Sequence, residues 1–390
     1  MRLSTSSVKS IHWSGPPHVL PLMRYHSVCL ESFGYTLPEN VVTSTDIEAQ
    51  LSPLYERLKL PAGRLELITG IRERRFWNHG TLASDVSAAS AEKAIAAADI
   101  DRRLIGALVH GSVCRDHLEP ATACRVHHLL NLDPRCQIYD LSNACLGLLN
   151  GMVQIANMIE LGQIRAGLVV GTENSRPLVE NTIQNLNTDL TLSRQAIKTA
   201  VASLTIGSAS CAILLVDREL SQTDNRIMGG VARAETIHHD LCHSGQDEAG
   251  EHMRPLMDTD SEALLEAGIN VGRESFSDLL QTLQWSREQL SKTFCHQVGT
   301  SHRKRMLETL GLEISKDFAT VESLGNTGSV ALPISMAIGI ENGHLQKSDR
   351  AALLGIGSGV NCLMLGVDWQ RNPPKMANKT EPAVILAENR

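Results

Sequence analysis

Two stretches of this chain, far apart in sequence, lie over one another without a gap. CLGLLNGMVQIANMIELGQI (Cys145 to Ile164) and NTGSVALPISMAIGIENGHL (Asn326 to Leu345) share Gly147/Gly328, Ala156/Ala337, Ile159/Ile340, Glu160/Glu341 and Gly162/Gly343. In the first copy Leu146, Leu149, Val153, Ala156 and Ile159 recur at helical spacing, and Gly162 stands where a C-terminal cap belongs. The same βα unit is therefore expected twice. Cys145 and Asn326 sit at the same point of the two copies, with both helix N-termini turned to one shared site.

The segments around the repeat read as α/β. Helices are expected over Asp46 to Leu58, Ala83 to Ala98 and Pro120 to Leu130, and strands at Leu104 to Ser112, up to Asp140, at Ala166 to Gly171 and at Cys211 to Val216. In the second half the spacing predicts a helix near Glu288, a strand in KTFCHQVG, a helix over Arg303 to Leu310, a strand near Phe318 to Val321, a helix over Ser329 to Glu341, and strands in AALLGIGSG and NCLMLGV. Short apolar runs alternating with helices predict a mostly parallel sheet covered on both faces. The expected division is an N-terminal extension over 1–22, a first half over 23–217 with a cap or subunit-contact insertion over about 177–203, a second half over 218–370, and a polar tail over 371–390. Met23 is an alternative start.

Composition narrows the function. With 390 residues, 42% of them hydrophobic, the chain can bury a large core. The net charge of −7 forms no basic run and only 3% of residues are aromatic, so neither a phosphate-tracking surface nor base-stacking platforms are suggested. Nine cysteines without a repeated C-x-x-C pair read as reduced thiols of a cytoplasmic protein. No apolar run reaches membrane-spanning length, and no membrane insertion is expected. HHDLCH (His238 to His243) has ligand types that suit zinc but lacks separated ligand pairs, so a place lining or covering a cavity is expected and no metal.

A cysteine at a helix N-terminus has unpaired amides and a helix dipole beside it, both of which favour the thiolate. Cys145 is accordingly expected to be a nucleophile. NACLG around Cys145, HQVG around His296, GNTGS around Asn326 and GIGSG from Gly355 to Gly359 resemble, in this order, the thiolase superfamily, in particular its ketoacyl synthase III branch. The resemblance covers about Arg24 to Trp369. It implies a five-layered α-β-α-β-α fold of two halves, a homodimer, and a catalytic triad of Cys145, His296 and Asn326. Acyl transfer from a thioester needs a nucleophile that is also a good leaving group, which a thiolate is. Backbone N–H groups of Cys145 and of the loop Gly357, Ser358, Gly359 suit a tetrahedral oxyanion, and such a donor contributes about 2.7–4 kcal/mol. His296 and Asn326 suit the oxygen of an enolate. The substrates implied are coenzyme A thioesters, with acyl carrier protein as an alternative carrier and no permanently bound cofactor.

SVCRDHLEPATA, with Glu119 before Pro120, further resembles the OleA type, which joins two acyl-CoA molecules head to head and assigns a glutamate from the partner subunit as base for the α-carbon. Decarboxylative condensation with malonyl-carrier protein, as in 3-oxoacyl synthase III of fatty acid biosynthesis, is the alternative, followed by acyl transfer to oxygen or nitrogen and by a non-catalytic partner subunit. By the same resemblance Arg72, Arg74, Arg75 and Trp77 are expected at the mouth of a coenzyme A channel, where guanidinium groups suit phosphates and an aromatic suits adenine.

Overall fold

The computed structural model describes residues 23–192, 194–244 and 257–373. The expected extension over 1–22, most of the tail over 371–390 and part of the variable stretch after Cys242 lie outside the described residues.

Nine strands build the body: β1 (Val28–Thr36), β2 (Ile105–Gly111), β3 (Gln137–Leu141), β4 (Ala166–Glu173), β5 (Ala209–Asp217), β6 (Arg226–Ala234), β7 (Lys292–Cys295), β8 (Arg350–Gly357) and β9 (Asn361–Asp368). They run in the order β7-β8-β9-β6-β1-β5-β4-β2-β3, and a two-residue strand, Met23–Arg24, pairs with β6. The first half is ordered β3-β2-β4-β5-β1. The second repeats it as β7-β8-β9-β6, with the counterpart of β3 reduced to a single bridge between Thr293 and Asp317. The halves meet where Cys29 of β1 pairs with Arg226 of β6.

Strand faces alternate as buried sheets require. In β5, Ala212, Leu214 and Val216 join the core under α1 (Ala83–Ala98) and α2 (Thr122–Leu129), while Cys211, Ile213 and Leu215 face the other way. That other face belongs to a central core shared by α3 (Gly147–Glu160), α8 (Ala331–Glu341) and strands of both halves. A third core joins the second half to α6 (Ser261–Leu283) and α7 (Thr300–Leu310). The layers are therefore helix, sheet, paired central helices, sheet, helix. Ten of the eleven residues of α8 are buried, so it has no polar face to turn outward, and it fits only in the middle layer.

Several expectations are corrected. Only β2–β3, β2–β4 and β7–β8 are parallel pairs, so the sheet is mixed; β8 and β9 are joined by a tight turn, which can connect only antiparallel strands. The helix expected near Glu288 is a turn, because α6 ends at Leu283 and Gln284 adopts a left-handed φ of 55°. Asp46 to Leu58 splits into Ser44–Gln50 and Ser52–Leu58, with Pro53 opening the second piece. Strand β1 was not expected, since Glu31 and Ser32 interrupt its apolar run. Both are fully buried, and Glu31 is satisfied by the Ser221 and Thr223 hydroxyls (2.6 and 3.1 Å) and the Gln222 amide (2.9 Å).

Candidate active site

Cys145 lies between β3 and α3, just ahead of the helix, as the repeat predicts. The preceding Ala144 holds a positive φ of 44°, a strained geometry for a residue with a Cβ, and Leu146 N–H closes the turn onto Asn143 C=O at 2.9 Å. Helix α3 reaches the strand end through a glycine pair: a Cβ on Gly147 would stand 2.7 Å from the Gly111 carbonyl oxygen. A Cβ on Gly357 would come within 3.6 Å of the Cys145 nitrogen, so the Gly357–Gly359 loop packs against the nucleophile turn.

His296 follows β7, its own amide donating to Leu354 C=O at 3.0 Å. Behind it, Asp317 accepts from Cys295 N–H (3.1 Å), the Thr293 hydroxyl (3.1 Å) and Arg303 Nε (2.6 Å), while Gln297 Oε1 accepts from Thr320 N–H and Val321 N–H at 2.8 and 2.9 Å. These bonds tie the histidine strand to the segment that leads to Asn326. Asn326 is anchored by its amide on Thr205 C=O and by its carbonyl accepting from Gly207 N–H, both at 2.9 Å. Its Oδ1 accepts from Gly328 N–H at 3.0 Å.

Cys145, His296 and Asn326 line one cavity of about 1530 Å³, together with Glu119, Glu173, Cys114, Cys242, His302, Gly357 and Ser358. Both ring nitrogens of His296 are buried without a partner among the described residues. Such atoms are costly unless a ligand completes them. Burial, and next the nearby His302, lower the His296 pKa to about 4, so the imidazole is neutral and offers one N–H and one lone pair.

The expected thiolate is corrected. Burial first, then the charge of Glu173 and of Cys242, push the Cys145 pKa up to about 12. Desolvation outweighs the helix terminus and favours the thiol over the thiolate. The expected coenzyme A contacts change as well. Arg74 is fully buried, bonded to the Ser44 hydroxyl (3.0 Å) and Leu204 C=O (3.2 Å), and burial lowers its pKa to about 10. Trp77 is buried and donates to Glu173 C=O at 3.0 Å, Arg75 is bonded to Pro38 C=O at 3.0 Å, and neither these nor exposed Arg72 lines the cavity. The cations that do are Lys59, Arg64, Arg115 and Lys198, all exposed, and Arg303, which is paired with Asp317. From HHDLCH, Cys242 lines it. Helices α4 (Arg176–Thr188) and α5 (Arg194–Leu204), which form the insertion, contribute Pro177, Leu178, Ile197, Val201 and Ala202 to its wall.

Two halves of one strand order, with a cysteine ahead of one central helix and an asparagine ahead of the other, define a thiolase fold of the ketoacyl synthase III branch. Residues 280–369 match the family model for the C-terminal part of 3-oxoacyl-[acyl-carrier-protein] synthase III. The chain belongs to the acyl-CoA:acyl-CoA alkyltransferase family: it is 42% identical over 351 residues to the member from Shewanella oneidensis, covering 89% of this chain and all of that relative. The Xanthomonas campestris pv. campestris relative is 34% identical over 347 residues, with 89% and 100% covered. Among solved structures, a glutamate-to-alanine variant of Xanthomonas campestris OleA superposes with a TM-score of 0.83 at 34% identity, covering 89% of this chain and 99% of that one. A cysteine-to-serine variant of OleA, crystallised with lauric acid and lauroyl-CoA, gives the same TM-score and identity, with 88% and 100% covered.

Proposed function

We propose that this protein is an acyltransferase that joins two acyl-CoA molecules in a Claisen-type condensation. The observation that carries the reading is His296, a half-buried residue whose two ring nitrogens are both buried and open, on the same cavity as Cys145 and Asn326. In the first step the Cys145 sulfur attacks the thioester carbonyl of one acyl-CoA, its proton passes through His296 to the departing coenzyme A sulfur, and an acyl-cysteine remains. Backbone N–H groups of Cys145 and Ser358 hold the tetrahedral oxyanion. In the second step Glu119 removes an α-proton from the second acyl-CoA, and the enolate oxygen is held by His296 Nε2–H and Asn326 Nδ2. The enolate carbon attacks the acyl-cysteine carbonyl and the Cys145 thiolate leaves, giving a β-keto thioester. A low-dielectric site strengthens each of these contacts, and the Claisen step needs no metal.

The working unit in this reading is a cytoplasmic homodimer in which the partner subunit's Glu119 serves as base. Glu119 lies on an exposed loop between Val113 and Thr122, and the apolar Val113 and Leu118 beside it are about half exposed, 49% and 50%, as an interface would leave them in a single chain. Arg64, Arg115 and Lys198 are proposed for the coenzyme A phosphates in place of Arg72, Arg74, Arg75 and Trp77. A decarboxylating 3-oxoacyl synthase III is the second reading, supported by the family model that matches residues 280–369.

Incubation with acyl-CoA alone, and separately with malonyl-carrier protein added, distinguishes the two. Formation of a β-keto product from acyl-CoA alone, with the acyl group found on Cys145 by intact mass, is expected. An absolute requirement for the malonyl group would remove the first reading and leave the second.

A further inference from the structure

A carboxyl that the condensation scheme does not use lies beside the nucleophile. Glu173 closes β4, an otherwise uncharged strand, and its side chain is buried against the cavity that holds Cys145. Its Oε1 accepts from the Ser329 hydroxyl and from Ser329 N–H. Ser329 is three residues past Asn326, and Gly328 between them sits with φ +56° so close that a Cβ there would stand 3.1 Å from the Glu173 carboxyl carbon. On the other side, the Ser112 hydroxyl and Cys114 thiol approach the same carboxyl. These residues begin the loop that carries Glu119, with Ser112 Oγ also donating to Thr172 C=O (2.9 Å) and accepting from Cys114 N–H (3.0 Å). The Glu173 carbonyl oxygen accepts from Trp77 Nε1, which fixes the strand end itself. One buried carboxyl thus touches both the Asn326 segment of the second half and the Glu119 loop of the first, and neither segment has a regular strand to hold it there.

We infer that Glu173 is a positioning residue: it holds both the Asn326 segment of its own site and the loop whose Glu119 serves the partner subunit's site, and so sets the geometry of the condensation step more than that of acyl transfer to Cys145. Asn326 and the partner subunit's Glu119 serve the enolate, whereas acylation uses Cys145, His296 and backbone donors. A brace acting on the former pair should separate the two steps. Displacement of about 1 Å at such groups costs on the order of 100-fold in rate. The inference rests on the proposed two-step reading, so its test includes a measurement that needs no turnover.

The full-length protein is compared with Glu173→Ala, Glu173→Gln and Ser329→Ala. In Glu173→Ala, condensation falls by about 100-fold while acylation of Cys145 changes by less than about tenfold. Gln keeps an acceptor for Ser329, so Glu173→Gln restores condensation to within about tenfold of wild type. Ser329→Ala removes one arm of the brace and lies between them. Independently of activity, hydrogen exchange in peptides spanning 112–119 and 326–330 rises in Glu173→Ala and stays near wild type in Glu173→Gln. Unchanged exchange at both segments in Glu173→Ala, equal loss of acylation and condensation, or a Gln variant as impaired as Ala would each overturn the brace. Raised exchange in a protein that shows no acyl-Cys145 in its wild-type form would retain the brace and remove the two-step reading.

Discussion

The two halves of the molecule follow one chain path and solve the third strand differently. In the first half β3 is a full strand, paired in parallel with β2 from Gln137 to Leu141. In the second half only the Thr293–Asp317 bridge is left, and a side chain takes over the work of the ladder: Asp317 bonds Cys295 N–H, Thr293 and Arg303. Asp140 of β3 also reaches outward, accepting from Thr122 N–H (2.8 Å) and Ala123 N–H (2.9 Å) at the start of α2. The backbone solution leaves the nucleophile turn fixed by main-chain geometry. The side-chain solution makes the placement of His296 depend on a few buried polar groups. A second contrast lies one connection later. Between β4 and β5 the first half inserts α4 and α5, which wall the cavity, while between β8 and β9 the second half has only the glycine loop that packs on Cys145.

The division of labour implied by that comparison is broken most directly at the nucleophile. Cys145→Ala is expected to abolish both steps, lowering turnover by about 10⁴–10⁶-fold, as removal of a catalytic nucleophile does elsewhere. Intact mass after exposure to acyl-CoA should show no adduct. An adduct on another of the free cysteines, Cys114 or Cys242 in the same cavity, would show that the first half does not own the acyl group. Next in size are the donors of the second half. His296→Ala and Asn326→Ala should each lower condensation by about 10²–10³-fold. For Asn326→Ala the single-turnover acylation of Cys145 should fall far less, and equal losses in the two steps would erase the distinction between the halves.

The placement of Cys145, His296 and Asn326 on one cavity is legible in the sequence. Cys145, His296 and Asn326 stand in short motifs with glycines, and the ungapped repeat already puts the first and last at equivalent points. The supporting groups were not legible, because their partners are remote in sequence: Glu173 meets Ser329 across 156 positions, and Asp317 meets Arg303 and Cys295 through a strand that never forms. An acidic residue ending the apolar run AGLVVGTE was the available signal for Glu173. The cluster Arg72, Arg74, Arg75 misled for a related reason. In the strand Glu73–Phe76 alternate residues face opposite ways, so Arg74 turns into the core beside Phe76 while Arg75 turns out. A run of like charges tells nothing of its facing until the period is known. The thiolate expectation failed because a helix terminus contributes about 0.3–1 kcal/mol in ordinary surroundings, less than the burial of the sulfur removes.

The side-chain solution in the second half can be tested on stability. Arg303 and Asp317 form a buried pair, at 13% and 0% exposure, and removing the Asp317 carboxylate leaves the Arg303 charge with only carbonyl partners and the Cys295 amide without its acceptor. Asp317→Ala should therefore lower unfolding free energy by about 3–5 kcal/mol. The measurement is denaturant unfolding. A companion change in the first half, Asp140→Ala, removes two amide bonds at the start of α2 but leaves the β2–β3 ladder intact, and should cost only about 1–2 kcal/mol. Equal costs would mean that the missing strand makes no difference.

An effect of similar size follows from the sign of one titration. His296 has its pKa lowered to about 4 by burial and by His302, against about 6.5 for a free imidazole. A depressed folded-state value means that the unfolded chain binds the extra proton first, so the stabilising contribution is complete above pH 6.5 and is lost as pH falls toward 4. The slope is about 1.4 kcal/mol per pH unit for one such group. His302 and His344 are also lowered by burial and act in the same direction, while Glu173, raised by burial, opposes them as pH falls. The comparison that isolates His296 is His296→Asn, which cannot take up the proton. Between pH 7 and pH 5 wild type should lose about 2 kcal/mol more unfolding free energy than the variant. Identical pH slopes would mean that the ring is already bonded or solvated, and the open imidazole on which the condensation reading rests would be gone.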